Sequence, residues 1–241
     1  MTDTTTNSPL ETTSHINELR GKLQSGSEKA QLQMIPKMVE EGDAGLDVLM
    51  EFLRDRQSAP PTVVTGKIYQ ALYQVNLPKT VDFLQTYFPQ GVVPLQSQAN
   101  LDYYPLQQLI LKQEFQAADK LTVEKMCELA GGTASQRKWL YFSEVESLPV
   151  VDLQTINLLW FVHSEGKFGF SVQRELWLGV AKNWDKLWPL LGWKEGNNWT
   201  RYPQGFIWDL SAPKGHLPLA NQLRGVQPFA SLLSHPAWQS K

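Results

Sequence analysis

Cysteine is nearly absent, since Cys127 is the only one in 241 residues. A single thiol excludes an internal disulfide framework and a multi-cysteine zinc site, and it points to a reducing compartment. In the run VEKMCELA it reads as an inert, buried thiol on a helix. Charge excess of either sign is also missing. The 22 Lys and Arg stand against 24 Asp and Glu, for a formal charge of −2 and a pI near 6.1. Residues 1–90 hold eight cations and eleven acids, residues 91–241 fourteen and thirteen. Neither half has the basic footprint of a nucleic-acid binder. No apolar run approaches the roughly 18 residues of a membrane span. The opening MTDTTTNSPLETTSH lacks both the apolar core of a secretory signal and the arginines of a transit peptide. A soluble, cytoplasmic protein is expected, in which the sequon Asn198-Trp199-Thr200 is idle.

Tryptophan is missing from the first 138 residues, although the chain has nine. All lie between Trp139 and Trp238, so the C-terminal part carries the large flat side chains. Trp139, Trp160, Trp177, Trp184 and Trp188 fall in helical patterns and are expected to pack a core. The stretch from Trp193 to Val226 differs. Its Gly and Pro forbid a long regular element, while Trp199, Tyr202, Phe206 and Trp208 supply aromatic surface. Arg201, Lys214 and Arg224 face only Glu195 and Asp209 there as carboxylates. An apolar loop with cationic tips suits a flat, greasy, anionic ligand.

Helical periodicity dominates the rest. A polar lead over residues 1–13 is expected to be disordered, and residues 14–90 to form a helical bundle or repeat-like stack. Ile16, Leu19 and Leu23 make one stripe. Ala30, Leu32, Ile35, Met38 and Val39 make a second behind Ser27 as N-cap. A third, capped by Asp43, carries Leu46, Leu49, Met50 and Leu53. A fourth is expected over Thr62 to Val75 and a fifth from Pro78 to Tyr87. Phe88 to Asn100 reads as a connector. From residue 91 a second domain begins, with Leu106, Leu109, Ile110, Phe115, Ala118 and Leu121 on inner faces and Gly131-Gly132 as a stop. Further helices are expected near Trp139 to Val145, after Asp152 as cap, and from Ser171 through Trp177. No stretch sustains period-two alternation, so the fold class is all-α.

Motifs for catalysis are weak. Asp209, Ser211 and His216 have the letters of a hydrolase triad but are crowded into eight residues without a nucleophile elbow. Gly166 to Phe170 is a turn without a phosphate-loop pattern. His163, His216 and His235 could in principle supply an axial metal ligand, but His163 lies on an apolar helical face and reads as a core residue.

The runs AGGTASQRKWLYFSEVE, VVDLQTINLLWFVHSEGKFGFSVQRELW and GFIWDLSAPKGHLPLANQLRGV resemble, almost word for word, the genomes uncoupled four family of tetrapyrrole-binding regulators of magnesium chelatase. The resemblance is dense over about residues 95–240. It is looser over the N-terminal bundle, in the manner of the cyanobacterial members. It implies an all-helical core domain with a cupped apolar face that binds protoporphyrin IX and magnesium protoporphyrin IX. It further implies a non-catalytic activator of magnesium insertion in chlorophyll synthesis, whose partner is the large porphyrin-binding subunit of the chelatase. Peripheral association with a membrane is compatible with it; a membrane span is not.

The family's ligand segment corresponds to NQLRG, which carries over Asn221 as a donor and Arg224 as the bidentate partner of a propionate. Tyr202, Phe206, Trp208, Leu217, Leu219 and Val226 are expected against the ring. The chain departs from its close relatives in having Tyr202 where they have Trp, and Gln227 where some have a second arginine. Arg201 or Lys214 would then have to supply the second cation. Two other readings stay open: an enzyme acting on the porphyrin, and a helical adaptor whose aromatics form a protein interface.

Overall fold

The structure is a computed structural model that describes residues 9–219 and 225–239. The described residues contain thirteen α-helices and a single pair of two-residue strands, so the fold is all-α. The chain divides into two compact units, Met1–Val92 and Val93–Lys241. No helix among the described residues is long and apolar enough to cross a membrane.

The first unit contains α1 (Pro9–Ser25), α2 (Glu28–Glu40), α3 (Asp43–Arg54), α4 (Val63–Val75) and α5 (Pro78–Tyr87). Each packs on the next, and α1 on α3, α2 on α4 and α3 on α5 as well, the arrangement of a repeat-like stack. The expected stripes supply its core: Leu23, Ile35, Met38, Leu46, Leu49 and Leu53 are buried. Three start signals act locally. Ser27 accepts from the Ala30 amide, Thr62 forms a reciprocal cap with Thr65, and Pro78 opens α5.

Two expectations are corrected here. The lead expected to be disordered over residues 1–13 already turns helical at Pro9, where a proline's fixed φ suits the first turn; residues 1–8 lie outside the described residues. The N-cap of α3 is Gly42, with φ of 62°, rather than Asp43. Asp43 is the first helical residue, where its charge suits the positive end of the helix, and it pairs with Lys79 of α5 at 2.8 Å. Two residues later Gly45 is required by sterics: a Cβ there would sit 1.8 Å from the Met38 carbonyl oxygen.

The second unit contains α6 (Tyr104–Leu111), α7 (Phe115–Ala130), α8 (Gly132–Arg137), α9 (Phe142–Glu146), α10 (Val150–Val162), α11 (Phe170–Gly179), α12 (Trp184–Leu191), the hairpin β1 (Lys194–Glu195) and β2 (Asn198–Trp199), and α13 (Val226–Ser234), followed by a 3-10 turn at Pro236–Trp238. α7 packs on α6 and α8, α13 on α9 and α11, and α10 on α6, α11 and the 3-10 turn. α13 has no counterpart in the sequence expectations. The short hairpin pairs Lys194 with Trp199 and Glu195 with Asn198, too few residues for an alternation signal.

Asp152 does not cap α10, as expected from sequence; Pro149 holds that position and Asp152 is the third helical residue. Its carboxyl group is fully buried, where it accepts from the Ser97 hydroxyl, the Gln98 amide at 2.9 Å and the Tyr103 hydroxyl at 2.9 Å. Thr155 donates to the Gln96 carbonyl on the same stretch. Residues 96–98, within the second unit, are thereby fastened along α10.

Most tryptophans are structural. Trp160 is fully buried, stacks on Phe115 at 5.7 Å and donates to the Thr122 hydroxyl. Trp184, Trp188, Trp193 and Phe229 form a continuous aromatic stack, with Trp188 and Trp193 only 17° from parallel. Such offset pairs contribute about 0.5–1.5 kcal/mol beyond their area. Trp139 and Trp184 are half-buried, whereas Trp199 is 55% exposed at the hairpin.

Candidate ligand site

The loop after β2 keeps its shape without regular structure because polar anchors hold it onto α11 and α12. Gln173 of α11 donates to the Gly215 and Pro218 carbonyls, Lys167 donates to the Leu210 carbonyl, and Gly169 donates to Leu217. Gly215 has φ of 76°, and a Cβ there would collide with Leu176 and Leu191 at 2.8 and 2.9 Å. His216 is the central post. Its ring lies 5.5 Å from Phe206, its Nε2 accepts from the Ile207 amide, and its Nδ1 donates to the Leu191 carbonyl. Burial lowers its pKa, so the imidazole is the neutral Nδ1–H tautomer at neutral pH. Asp209 accepts from the Ser211 amide in a local turn, so Asp209, Ser211 and His216 make no triad.

These anchors present three aromatic rings. Tyr202 meets Trp208 edge-on at 5.9 Å, Phe206 lies 6.1 Å from Trp208, and the Trp208 indole donates to the Pro203 carbonyl. Tyr202 is 44% exposed, Trp208 half-buried and Phe206 buried.

Tyr202 faces α7 across a groove made of two adjoining hollows. The first, about 430 Å³, is floored by Val123 and Cys127, with Lys120, Glu124 and Lys138 around it and Tyr202 opposite. The second, about 380 Å³, runs over Phe115, Gln116 and Ala117 to Trp208. Lys120 and Tyr202 line both, so the hollows are continuous. Their volumes lie in the range of small-molecule sites. The Cys127 thiol in the floor is pushed up to about 11 by burial and is an apolar contact at neutral pH, not a nucleophile.

Beneath the groove lies an unusual group. The Asp119 side chain on α7 is fully buried, one carboxyl oxygen accepts from the Leu219 amide at 2.5 Å, and the other has no partner among the described residues. Burial pushes its pKa up to about 7, a shift the Leu219 hydrogen bond only partly offsets. Burial chiefly, and the nearby Asp119 carboxyl secondarily, also raise the Tyr202 phenol. Asp119 fixes the point at which the chain leaves for the NQLRG segment.

The sequence-derived residues are distributed unevenly. Tyr202 and Trp208 line the groove, and Phe206 supports them from below. Leu217 and Leu219 are buried in the packing of the unit, and Val226, the first residue of α13, is 42% exposed. Arg201 is exposed. Lys214 is held by Glu175 at 3.0 Å. Asn221 and Arg224 lie outside the described residues. Sequence reasoning missed the α7 wall and Asp119. Lys120, Val123, Cys127 and Lys138 are far from the aromatic loop in sequence; their only local signal was the paired i, i+4 spacing of Val123 with Cys127 and of Lys120 with Glu124.

Comparisons with known proteins cover both units. A family model described as GUN4-like matches residues 96–236, and one described as an ARM-like repeat domain, GUN4-N terminal, matches residues 8–89. A Ycf53-like protein of Synechocystis is 50% identical over 225 residues, covering 93% of this chain and 97% of that protein. The chloroplastic tetrapyrrole-binding protein of Arabidopsis thaliana is 38% identical over 142 residues, covering 55% of this chain and 54% of that one. Among solved structures, GUN4 from Chlamydomonas reinhardtii aligns with a TM-score of 0.57 at 39% identity, covering 61% of this chain and 97% of the other. The ligand-free structure of Arabidopsis thaliana GUN4 aligns with a TM-score of 0.54 at 36% identity, covering 60% and 99%.

Proposed function

From the premise that this chain belongs to the GUN4-like family, we propose that it binds protoporphyrin IX and magnesium protoporphyrin IX in the α7 groove and, without catalysing a reaction itself, activates magnesium chelatase in chlorophyll synthesis. The observation that carries the reading is the groove: an apolar floor from α7 and flat rings from Tyr202 and Trp208, with Lys120 and Lys138 at the edge beside Glu114, Glu124 and Glu128. A porphyrin has two broad apolar faces and two propionates on one edge, and these are the surfaces it needs.

In this reading Arg224 grips one propionate through its planar fork and Asn221 donates to it. The second propionate meets Lys138 in the groove lining, rather than Lys214, which Glu175 already holds, or Lys120, which pairs with Glu124. A name borne by a relative, the tetrapyrrole-binding protein of Arabidopsis thaliana, supports the ligand class. Uniform binding of a porphyrin cannot by itself accelerate its metallation. The protein therefore acts by favouring a more reactive state of the chelatase's large porphyrin-binding subunit.

Titrating protoporphyrin IX into the full-length protein tests the site. Tryptophan emission should fall saturably, with a Kd on the order of micromolar, or about −8 kcal/mol. Arg224→Ala should weaken binding by about 1.5–3 kcal/mol with the fold unchanged, the range for a lost hydrogen bond to a charged group. Arg224→Lys should recover only part. A linear fall, the mark of an inner-filter effect, would refute binding. Wild-type affinity in a folded Arg224→Ala protein would refute the Arg224 assignment.

A further inference from the structure

A second cleft, about 960 Å³, lies on the second unit and shares no lining residue with the α7 groove. One wall is α10 from Val150 to Leu158, about 12 Å at 1.5 Å per residue. α11 contributes Arg174, and the 3-10 turn contributes Trp238. The walls are fixed before anything binds. Gln154 donates to the Ala237 carbonyl, Asn157 accepts from the Ser171 amide, and the Trp238 indole donates to the Leu232 carbonyl while its ring packs 6.1 Å from Phe170.

The charge in the cleft is one-sided. Arg174 is the only charged side chain among its described lining residues, it is half-buried, and it makes no hydrogen bond or ion pair with any described residue. The one acid of α10, Asp152, is turned into the core against Tyr103. By contrast, Lys214 and Lys79 each hold a carboxylate, and Arg137 holds Glu144 at 2.5 Å. A partly desolvated guanidinium without an anion is a vacant fork for a carboxylate. Around it Val150, 37% exposed, the half-buried Leu158 and Trp238 offer apolar contact. Tryptophan and arginine together are the composition of interface anchor points.

We propose that this cleft is a docking site for a short acidic and apolar segment of a partner protein, with an Asp or Glu on Arg174 and aliphatic or aromatic side chains against Val150, Leu158 and Trp238. The wall accommodates about four residues of extended chain at roughly 3.3 Å each. A carboxylate alone would leave the apolar wall uncovered, and a purely apolar segment would bury the guanidinium unpaired, at a cost. The match to a mixed segment decides between them.

The test is selection of a random hexapeptide phage library on the immobilised full-length protein, followed by fluorescence anisotropy with the enriched peptides. Enriched sequences should carry Asp or Glu within two positions of Leu, Ile, Phe or Trp. Arg174→Gln should weaken them about tenfold or more, the scale for losing a charge-assisted hydrogen bond. Because Arg174→Gln could disturb α11, Val150→Glu at an exposed position provides a second variant, which should repel the same peptides with an unchanged thermal melt. Arg224→Ala should bind them as the wild type does, which separates this cleft from the porphyrin groove. No enrichment of acidic sequences, wild-type affinity in both cleft variants, or full competition by acetate alone at the same carboxylate concentration would overturn the proposal.

Discussion

Replacing Asp119 with Asn is expected to flatten the pH dependence of stability of the second unit between about pH 4 and 7 and to make it more stable at pH 8. The folded protein holds the Asp119 proton up to about pH 7, whereas the unfolded chain releases it near the ordinary value of 3.8. Between those values the folded state binds more protons than the unfolded state, so stability falls as pH rises. The slope from this one group is about 1.4 kcal/mol per pH unit, and the whole shift amounts to something on the order of 4 kcal/mol at pH 8. Asparagine keeps an oxygen for the Leu219 amide but leaves its NH2 unpaired, at a cost of about 1–3 kcal/mol. The net change at pH 8 therefore remains stabilising, and at pH 4 it turns destabilising. Urea denaturation followed by tryptophan emission reports only this unit, since all nine tryptophans lie in it. Equal pH slopes for the two proteins would contradict the assignment.

The opposite effect is expected at Asp152. Truncation to Ala removes the common acceptor of the Ser97 hydroxyl, the Gln98 amide and the Tyr103 hydroxyl. Tyr103 is fully buried and its phenol, raised by burial and by Asp152, stays protonated and needs an acceptor. Orphaned buried donors cost about 1–3 kcal/mol each, and relaxation at the partly exposed Ser97 and Gln98 reduces their share. Asp152→Ala should thus lose about 3–5 kcal/mol. Asp152→Asn, which keeps one oxygen for Tyr103, should lose less. The urea midpoint measures both, and faster hydrogen exchange at Gln98 should accompany the loss. A loss below 1 kcal/mol for Asp152→Ala would show that water replaces the carboxyl group.

The two carboxylates illustrate what a sequence exposes and what it hides. Helices whose stripes and start signals are local were readable: Ser27, Thr62 and Pro78 mark starts that the fold uses, and Leu46, Leu49 and Leu53 face the core. Asp152 looked like a cap because Asp before an apolar run usually is one. Its actual partners lie about 50 positions away and leave no local trace. Asp119 carried no signal, since its peptide partner Leu219 is 100 positions distant. The tryptophan enrichment was correctly seen but mostly reflects packing: Trp188 and Trp193, stacked with the half-buried Trp184, are core, and the rings that line the groove are Tyr202 and Trp208. The other wall of the groove comes from α7, which amphipathic spacing alone presents as one more core helix.

Magnesium chelatase turnover, measured with its large porphyrin-binding subunit over a range of magnesium and protoporphyrin concentrations, with and without this protein, tests the central claim most directly. Magnesium protoporphyrin should form faster in its presence, with the largest gain at low magnesium and a smaller gain when Arg224→Ala replaces the wild type. Unchanged rates at every magnesium concentration, with saturable porphyrin binding demonstrated on the same preparation, would contradict it.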